Sequence, residues 1–228
     1  MPEVFNRLFG KLQNKMLLEE IKIIILDFDG VVIESNEIKT EAFRYVFGRF
    51  PDHADAMMAY HELNVSQSRF IKFDHLLMLL GCTGDEILKN ELSKLFSEYV
   101  FEKMMKASLV VGAEQFLKEM TQKFPVYLAS VTPDEELQKI LSRRQLAHWF
   151  RAVYGCPPWT KSDAIIDILK REKSNPINAL LIGDSAGDQR AAKQTGVPFL
   201  ARNSGLLFDE PYPKQFNDLN EILEYLVN

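Results

Sequence analysis

The sequence predicts a doubly wound α/β fold, in which helices cover both faces of a parallel sheet and a helical bundle is inserted after the first strand. The apolar run at residues 21–26 is typical of a buried central strand. From residue 109 onward, short apolar runs alternate with amphipathic helical segments, as expected of parallel strands joined by helices. Between these parts lie about seventy residues with helical spacing and no strand signal, more than one connection between strands needs.

The first predicted element is an amphipathic helix within residues 1–20, where Phe5, Leu8, Leu12 and Met16 recur at helical spacing. We expect its apolar face to pack on the core of the same chain. Charges occur throughout this segment, and it has neither a compact apolar region nor a small-residue cleavage site. The segment therefore does not have the pattern of a secretory signal.

The predicted first strand ends abruptly in Asp27-Phe28-Asp29-Gly30. Asp27 and Asp29 are two residues apart, so their side chains point the same way in an extended chain. Two carboxylates on one face at the end of a buried strand repel each other and lose hydration, which calls for a cation or a reaction at this point. Gly30 allows a sharp turn and the close approach of a ligand to the backbone.

Four helices are predicted within residues 36–108, with apolar faces that contain Phe43, Met57, Phe73 and Phe96 respectively. The rest of the chain is predicted to contain helices at residues 112–123, 134–144, 161–173, 186–195 and 219–227. Strands are predicted at residues 126–129, 152–155, 179–183 and 198–201. Asp218 is the predicted N-cap of the last helix.

Composition restricts the kinds of partner. The net charge of −5 and the absence of any basic run argue against nucleic-acid binding. No apolar stretch approaches the ~20 residues that cross a bilayer, so we expect no membrane partner. Cys82 and Cys156 are isolated, which fits a reducing compartment. We therefore expect a cytoplasmic protein.

Polar side chains gather where the predicted strands end. Asp27 and Asp29 follow the first strand, Ser130 follows the second, Lys161 lies beyond the third, and Asp184 follows the fourth, with Asp188 four residues further on. Because the carboxyl ends of parallel strands share one edge of the sheet, we expect these side chains to converge on one crevice. Thr132 is a nearby hydroxyl that could take the position of Ser130.

This combination favours phosphoryl chemistry. Three or four carboxylates around one point suit Mg²⁺, which binds one or two carboxylates and completes its shell with water and substrate phosphate. An aspartate is ionised at neutral pH and can attack a phosphoryl group without a base to activate it. A second aspartate can protonate the leaving alcohol, while Ser130 and Lys161 can stabilise the phosphoryl oxygens.

The motifs Asp27-Phe28-Asp29-Gly30-Val31, Ser130, Lys161 and Gly183-Asp184-Ser185-x-x-Asp188 resemble the four signature motifs of the haloacid dehalogenase superfamily. They are most similar to its phosphatase branch, typified by phosphoglycolate phosphatase and β-phosphoglucomutase. The resemblance implies a Rossmann-like core at residues 1–35 and 109–228, and an α-helical cap at residues 36–108. It also implies a Mg²⁺-dependent phosphatase that acts on a small phosphorylated metabolite through an aspartyl-phosphate.

The resemblance implies a role for each motif residue. Asp27 would be the nucleophile and a metal ligand. Asp29 would be the general acid and base, with its main-chain carbonyl on the metal. Ser130 and Lys161 would hold the phosphoryl group, with Gly30 beside the substrate. Asp184 would be a metal ligand, Asp188 would bind the metal through water or orient the site, and Ser68 and Arg69 would face the substrate from the cap.

Several alternatives stay open or are disfavoured at this point. A sugar phosphomutase of the β-phosphoglucomutase type shares the first half-reaction. A receiver-type phosphoacceptor domain is disfavoured, because its acceptor aspartate follows a later strand than its acidic pair and it needs no insert. A dehalogenase has no need of Asp29 as an acid. The sequence lacks the glycine-rich motifs of dinucleotide-binding dehydrogenases and Walker-type ATPases.

Overall fold

The computed structural model describes residues 20–209 and 214–227. This part of the chain contains one parallel sheet of six strands and nine α-helices. The strands are β1 (Ile23–Leu26), β2 (Val126–Ala129), β3 (Ala152–Tyr154), β4 (Ala179–Gly183), β5 (Phe199–Arg202) and β6 (Gln215–Phe216). The helices are α1 (Asn36–Phe47), α2 (Pro51–Leu63), α3 (Arg69–Leu79), α4 (Glu86–Met104), α5 (Ala113–Met120), α6 (Asp134–Arg143), α7 (Lys161–Arg171), α8 (Ala186–Thr195) and α9 (Leu219–Val227).

The sheet has the strand order β3-β2-β1-β4-β5-β6, and every neighbouring pair is parallel. β1 lies in the interior of the sheet, hydrogen-bonded to β2 on one side and to β4 on the other. The chain order therefore reverses at β1, which is the place where open α/β sheets bind ligands. The doubly wound α/β fold predicted from the sequence is confirmed.

Both faces of β1 are buried, which explains why its sequence is apolar without alternation. Ile24 and Leu26 belong to one hydrophobic cluster, which continues through the inserted helices. Ile23 and Ile25 belong to a second cluster on the opposite face of the sheet. The strand is thus held between two layers, and its last residue fixes the position of the carboxylates that follow.

We call α1–α4 the helical insert. Its four helices agree with the four that the sequence predicts. The chain enters and leaves the insert through two segments that lie side by side and antiparallel. Ile33 and Leu109 form the bridge between them. Glu34 N–H donates to the Ser108 carbonyl at 2.9 Å, and Val110 N–H donates to the Val32 carbonyl at 3.1 Å.

Some predicted elements differ from the observed ones or lie outside the described residues. The two-residue strand β6 was not predicted, because Gln215–Phe216 is too short to show a strand pattern. The helix predicted within residues 1–20 lies outside the described residues, apart from Glu20. Asp218 Oδ1 accepts a hydrogen bond from Glu221 N–H at 3.0 Å, as expected of an N-cap. Of the described helices, none combines the length and the apolar character needed to cross a membrane.

Candidate active site

The predicted site residues meet at the carboxyl edge of the sheet. Asp27 directly follows β1 and Asp184 directly follows β4, its neighbour in the sheet. Asp188 lies in the first turn of α8, and Lys161 is the first residue of α7. One carboxylate oxygen from each of Asp27, Asp184 and Asp188 lies within 4.8 Å of the others, and all three residues are buried. Strands far apart in sequence therefore bring these groups together, as parallel pairing requires.

The carboxylate of Asp27 is held in one orientation. Its Oδ1 accepts a hydrogen bond from Phe28 N–H at 2.8 Å and lies 2.9 Å from Lys161 Nζ. Its Oδ2 receives no hydrogen bond from any residue that the structure describes. Burial, followed by the charge of Asp188, raises the pKa of Asp27, whereas Lys161 lowers it. One oxygen is thus fixed by the protein and the other stays available to a ligand.

Lys161 faces the same cluster of carboxylates. Its ammonium also forms an ion pair with Asp188 Oδ1. Although burial opposes the charge, Asp188 and Asp27 raise the pKa of Lys161, so the ammonium stays protonated. Asp188 Oδ2 accepts hydrogen bonds from Ser185 N–H at 3.1 Å and from Ser185 Oγ at 2.6 Å. Asp188 is therefore tied to its own helix start as well as to Lys161.

The donor set fits a hard divalent cation. One lysine faces three buried carboxylates, so the cluster carries excess negative charge when all three are ionised. Burial, followed by the charge of Asp188, raises the pKa of Asp184 to about 6. Oxygen ligands and excess negative charge are what Mg²⁺ requires. The residues present therefore fit the predicted metal.

The side chain of Asp29 belongs to a second hydrogen-bond network. Its Oδ1 accepts a hydrogen bond from Ser35 Oγ at 2.7 Å, and its Oδ2 accepts one from Thr132 Oγ1 at 2.9 Å. Lys39 Nζ forms an ion pair with the same Oδ2. Burial raises the pKa of Asp29, but the charge and hydrogen bond of Lys39 outweigh burial and lower it overall. The two aspartates of the Asp-x-Asp motif thus have opposite pKa shifts.

Sequence reasoning missed two residues of this site, Asn36 and Lys39. Asn36 Nδ2 donates a hydrogen bond to Asp184 Oδ2 at 2.6 Å, and Lys39 also donates to Thr132 Oγ1 at 2.8 Å. Both side chains project from the first turn of α1, three residues apart. A polar pair at this spacing, at the start of the helix that follows the Asp-x-Asp motif, is the signal that could have identified them.

Gly30 occupies a position that no other residue fits. Its φ is +73°, in the left-handed region that favours glycine. A Cβ atom there would lie 1.9 Å from Asp184 Oδ2 and 2.6 Å from Asn36 Nδ2. The glycine therefore lets the turn after β1 pass directly against the carboxylate of Asp184.

Ser130 and Thr132 both lie against Asp29. Ser130 Oγ is 3.3 Å from Asp29 Oδ2 and accepts a hydrogen bond from Thr132 N–H at 3.1 Å. Thr132 has the shorter hydrogen bond to the carboxylate, and it lines the cavity described below. The hydroxyl next to Ser130 thus forms part of the site, and the role of Ser130 stays a prediction.

Arg69 lies at the junction between the helical insert and α6. Its guanidinium donates two hydrogen bonds to the carboxylate of Glu136, at 2.9 and 2.7 Å. It also donates to Ser97 Oγ at 2.7 Å and lies over the ring of Phe96. Ser68 is the N-cap of α3, where its Oγ accepts from Phe70 N–H at 3.4 Å. The substrate contacts predicted for Arg69 and Ser68 stay predictions.

A cavity of about 160 Å³ lies between the insert and the carboxyl edge of the sheet. Asp27, Asp29, Thr132 and Lys161 are among the residues that line it from the sheet side. The insert contributes Phe43, His61, Arg69, Lys72 and Phe96. The predicted nucleophile, the predicted acid and several basic side chains thus line one cavity.

The insert side of this cavity contains a buried lysine and histidine in contact. Lys72 Nζ is 2.9 Å from His61 Nδ1. Burial, followed by the charge of Lys72, lowers the pKa of His61 to about 3. Burial, followed by the charge of Lys39, lowers the pKa of Lys72 to about 7. His61 is therefore neutral at neutral pH.

Comparison with known protein families identifies the family of this chain. The sequence model of haloacid dehalogenase-like hydrolases matches residues 24–202, most of the described residues. The chain belongs to this family. Membership confirms the resemblance inferred from the four motifs, and it confirms the prediction of an enzyme. No curated protein matches the sequence.

Solved structures agree with this fold at low sequence identity. CbbY from Rhodobacter sphaeroides, solved in complex with phosphate, superposes with a TM-score of 0.73 at 16% identity and covers 90% of this chain and 99% of its own. A predicted phosphoglycolate phosphatase from Haemophilus somnus gives 0.71 at 16% identity, covering 90% and 97%. YfnB from Bacillus subtilis, solved bound to magnesium, gives 0.66 at 17% identity, covering 91% and 99%.

Proposed function

We propose that this protein is a Mg²⁺-dependent phosphatase that hydrolyses a small phosphomonoester through an aspartyl-phosphate on Asp27. The observation that carries the proposal is the position of Asp27. Its carboxylate is buried at the end of β1, paired with Lys161, and it lines a cavity beside Asp184 and Asp188. The small volume of that cavity favours a small metabolite over a macromolecule or a bulky ester.

In the first step, Asp27 attacks the phosphorus atom of the ester. Among the described residues none donates a hydrogen bond to its Oδ2, so this oxygen forms the new P–O bond while Oδ1 stays held by Phe28 N–H and Lys161. The bond between phosphorus and the alcohol oxygen breaks, and Asp29 donates a proton to the leaving oxygen. The negative charge of a bound phosphoryl group raises the pKa of Asp29, which makes the protonated form accessible.

In the second step, water attacks the phosphorus of the aspartyl-phosphate. Asp29, now a carboxylate, accepts a proton from this water, and the P–O bond to Asp27 breaks to release inorganic phosphate. Lys39, Ser35 and Thr132 hold the Asp29 carboxylate in place. Lys161 places a fixed positive charge beside the attacked group, where charge accumulates in the transition state.

Asp27, Asp184 and the main-chain carbonyl of Asp29 would hold Mg²⁺, and Asp188 would bind it through water or orient the site. When bound, the metal supplies positive charge to the transferring phosphoryl oxygens. The donor set and its excess negative charge support this assignment. The magnesium in YfnB and the phosphate in CbbY, both similar in fold, are consistent with it.

The test is turnover of Asp27→Asn. We expect purified wild-type protein to release phosphate from an alkyl or aryl phosphate in Mg²⁺, and Asp27→Asn to lose at least ~10⁴-fold in kcat. Intact-mass spectrometry of rapidly quenched protein should show a phosphoryl adduct on wild type only. Asp52→Asn, an exposed aspartate in α2, is the matched control and should keep full activity.

Metal removal gives a second, independent test. Excess chelator should abolish turnover, and Mg²⁺ should restore it. Ca²⁺ should inhibit, because it prefers more ligands at longer distances and would engage both oxygens of Asp27. Substantial turnover by Asp27→Asn would refute the nucleophile, and full activity in excess chelator would refute the metal.

A further inference from the structure

The structure contains a buried lysine that the proposed chemistry does not use. Lys72 lies in the first turns of α3, and only 1% of its surface is exposed. It lines the same cavity as Asp27 and belongs to the helical insert. Burying an ammonium is costly unless other groups replace the water around it. The contacts of Lys72 therefore need to be compared with those that a buried ammonium requires.

Two of the three N–H bonds of Lys72 are occupied by protein acceptors. The Thr40 hydroxyl donates to the Asn36 carbonyl at 3.1 Å, so its oxygen accepts from His61 Nε2–H at 3.1 Å. His61 Nδ1 is then the unprotonated nitrogen and accepts from Lys72 Nζ at 2.9 Å. The Val65 carbonyl accepts a second hydrogen bond at 3.2 Å. The protonated side chain has three donors, so among the described residues one donor is left for a ligand.

Lys72 is also unusual in its charge environment. Three other cations that line the cavity each have a carboxylate partner: Lys39 with Asp29, Arg69 with Glu136, and Lys161 with Asp27 and Asp188. Within residues 20–209 and 214–227, no carboxylate forms an ion pair with Lys72. The ring of Phe43 lies 4.5 Å from Nζ, and a cation–π contact offsets only part of the desolvation of a buried ion.

We propose that Lys72 binds a second anionic group of the substrate, a carboxylate or a second phosphate, at the end away from the transferred phosphoryl group. The neutral His61, oriented by Thr40, holds the ammonium in position without competing for the anion. The small cavity implies that a short chain of a few carbons separates the two anionic groups. The inference rests on the proposed function, because Asp27 and the metal define the other end of the substrate.

The test is binding by titration calorimetry, in Mg²⁺, to protein carrying Asp27→Asn. The probes are matched pairs that differ only at the far end: phosphoglycolate with ethyl phosphate, and 3-phosphooxypropanoate with propyl phosphate. Propane-1,3-diol bisphosphate distinguishes a second phosphate from a carboxylate. We expect at least one doubly anionic probe to bind about 10- to 100-fold more tightly than its alkyl counterpart, the range of a charge-assisted hydrogen bond.

Adding Lys72→Met should remove this preference and leave the Kd of the alkyl phosphate within about 2-fold, which also reports that the protein is folded. Lys72→Gln is the second variant, since its amide can still donate to His61 or Val65. Lys94→Met removes an exposed lysine of the insert and should leave the preference intact. Equal affinity for both members of every pair, or a preference that survives both Lys72 variants, would overturn the inference.

Turnover of the wild-type protein is a separate result. A Lys72-dependent binding preference without any hydrolysis would support the anion site while refuting the phosphatase. Hydrolysis of alkyl phosphates without any preference for doubly anionic ligands would support the phosphatase and refute the anion site.

Discussion

The ion pair between Arg69 and Glu136 holds the helical insert to the rest of the molecule, and we can predict how much free energy of unfolding it contributes. The two side chains are 4% and 9% exposed, and two parallel hydrogen bonds join them. Arg69 lies in α3 and Glu136 in α6, so the pair connects the insert to a helix that packs beside the sheet. Ser97 Oγ donates to Glu136 Oε2 at 2.6 Å and completes the network.

Removing one partner leaves the other buried and unpaired, which costs about 3–5 kcal/mol in the free energy of unfolding. We therefore expect Arg69→Met and Glu136→Leu each to lose that amount. The double variant should lose much less than the sum, because two apolar side chains replace both charges. The expected coupling energy is about 3 kcal/mol.

Urea unfolding of the wild type, the two single variants and the double variant measures this coupling. The matched control is the ion pair between Lys94 and Glu98 in α4, which is 78% and 62% exposed with 4.0 Å between the charged atoms. Its coupling should be below about 0.5 kcal/mol.

Additive effects of the Arg69 and Glu136 substitutions would refute the reasoning, since they would mean that the two charges do not depend on each other. The same variants address the predicted substrate contact of Arg69. If Arg69 acts only through Glu136, both single variants should lower kcat/KM to the same extent. A loss confined to Arg69→Met would indicate contact with the substrate.

Three further predictions concern the carboxylates. Because burial and Asp188 raise the pKa of Asp184 to about 6, the metal-free protein should lose about 3 kcal/mol of stability as the pH rises from about 4 to about 6. Unfolding midpoints measured across this pH range should show a smaller loss of stability in Mg²⁺ than in its absence. Stability that does not change with pH in this range would contradict the raised pKa of Asp184. Lys39→Met should lower kcat by ~10- to 100-fold. It should also move the acidic limb of the pH–rate profile to higher pH, because Lys39 lowers the pKa of Asp29. An acidic limb at unchanged pH would mean that Lys39 does not control the titration of Asp29. Gly30→Ala should abolish most turnover and lower the free energy of unfolding in urea by at least about 1–2 kcal/mol, because the added Cβ would meet Asp184 Oδ2. Unchanged Mg²⁺ affinity and activity would contradict the close approach of Gly30 to Asp184.

Most of the sheet and the approximate site could be predicted from the sequence, because one geometric rule governs both. Parallel strands end at a common edge, so Asp27, Asp184 and Lys161 had to lie close together once their strands were identified. The identity of β1 followed from its unbroken apolar run. Roles for individual residues came from the resemblance to a family, and they stay predictions until the variants are measured.

The contacts that the sequence did not reveal depend on how helices are oriented. Lys39 reaches Asp29 only because α1 starts immediately after the turn at Gly30. Arg69 and Glu136 are 67 residues apart, and their pairing depends on how the insert packs against α6. Lys72 has the sequence context of an ordinary helical lysine, and only its surroundings distinguish it. Such contacts follow from tertiary packing, which residue spacing does not encode.

The two antiparallel segments at Ile33 and Leu109 have a consequence for how this protein can change over evolutionary time. The segment that leads into the insert and the segment that leads out of it are hydrogen-bonded to each other. A two-residue turn is therefore long enough to join these two segments. Insertions, deletions or wholesale replacement of α1–α4 would therefore leave the pairing of β1 with β2 and β4 undisturbed. A lineage could therefore change the side chains that face the cavity by exchanging α2–α4, while α1 would have to keep Asn36 and Lys39 because they contact Asp184 and Asp29.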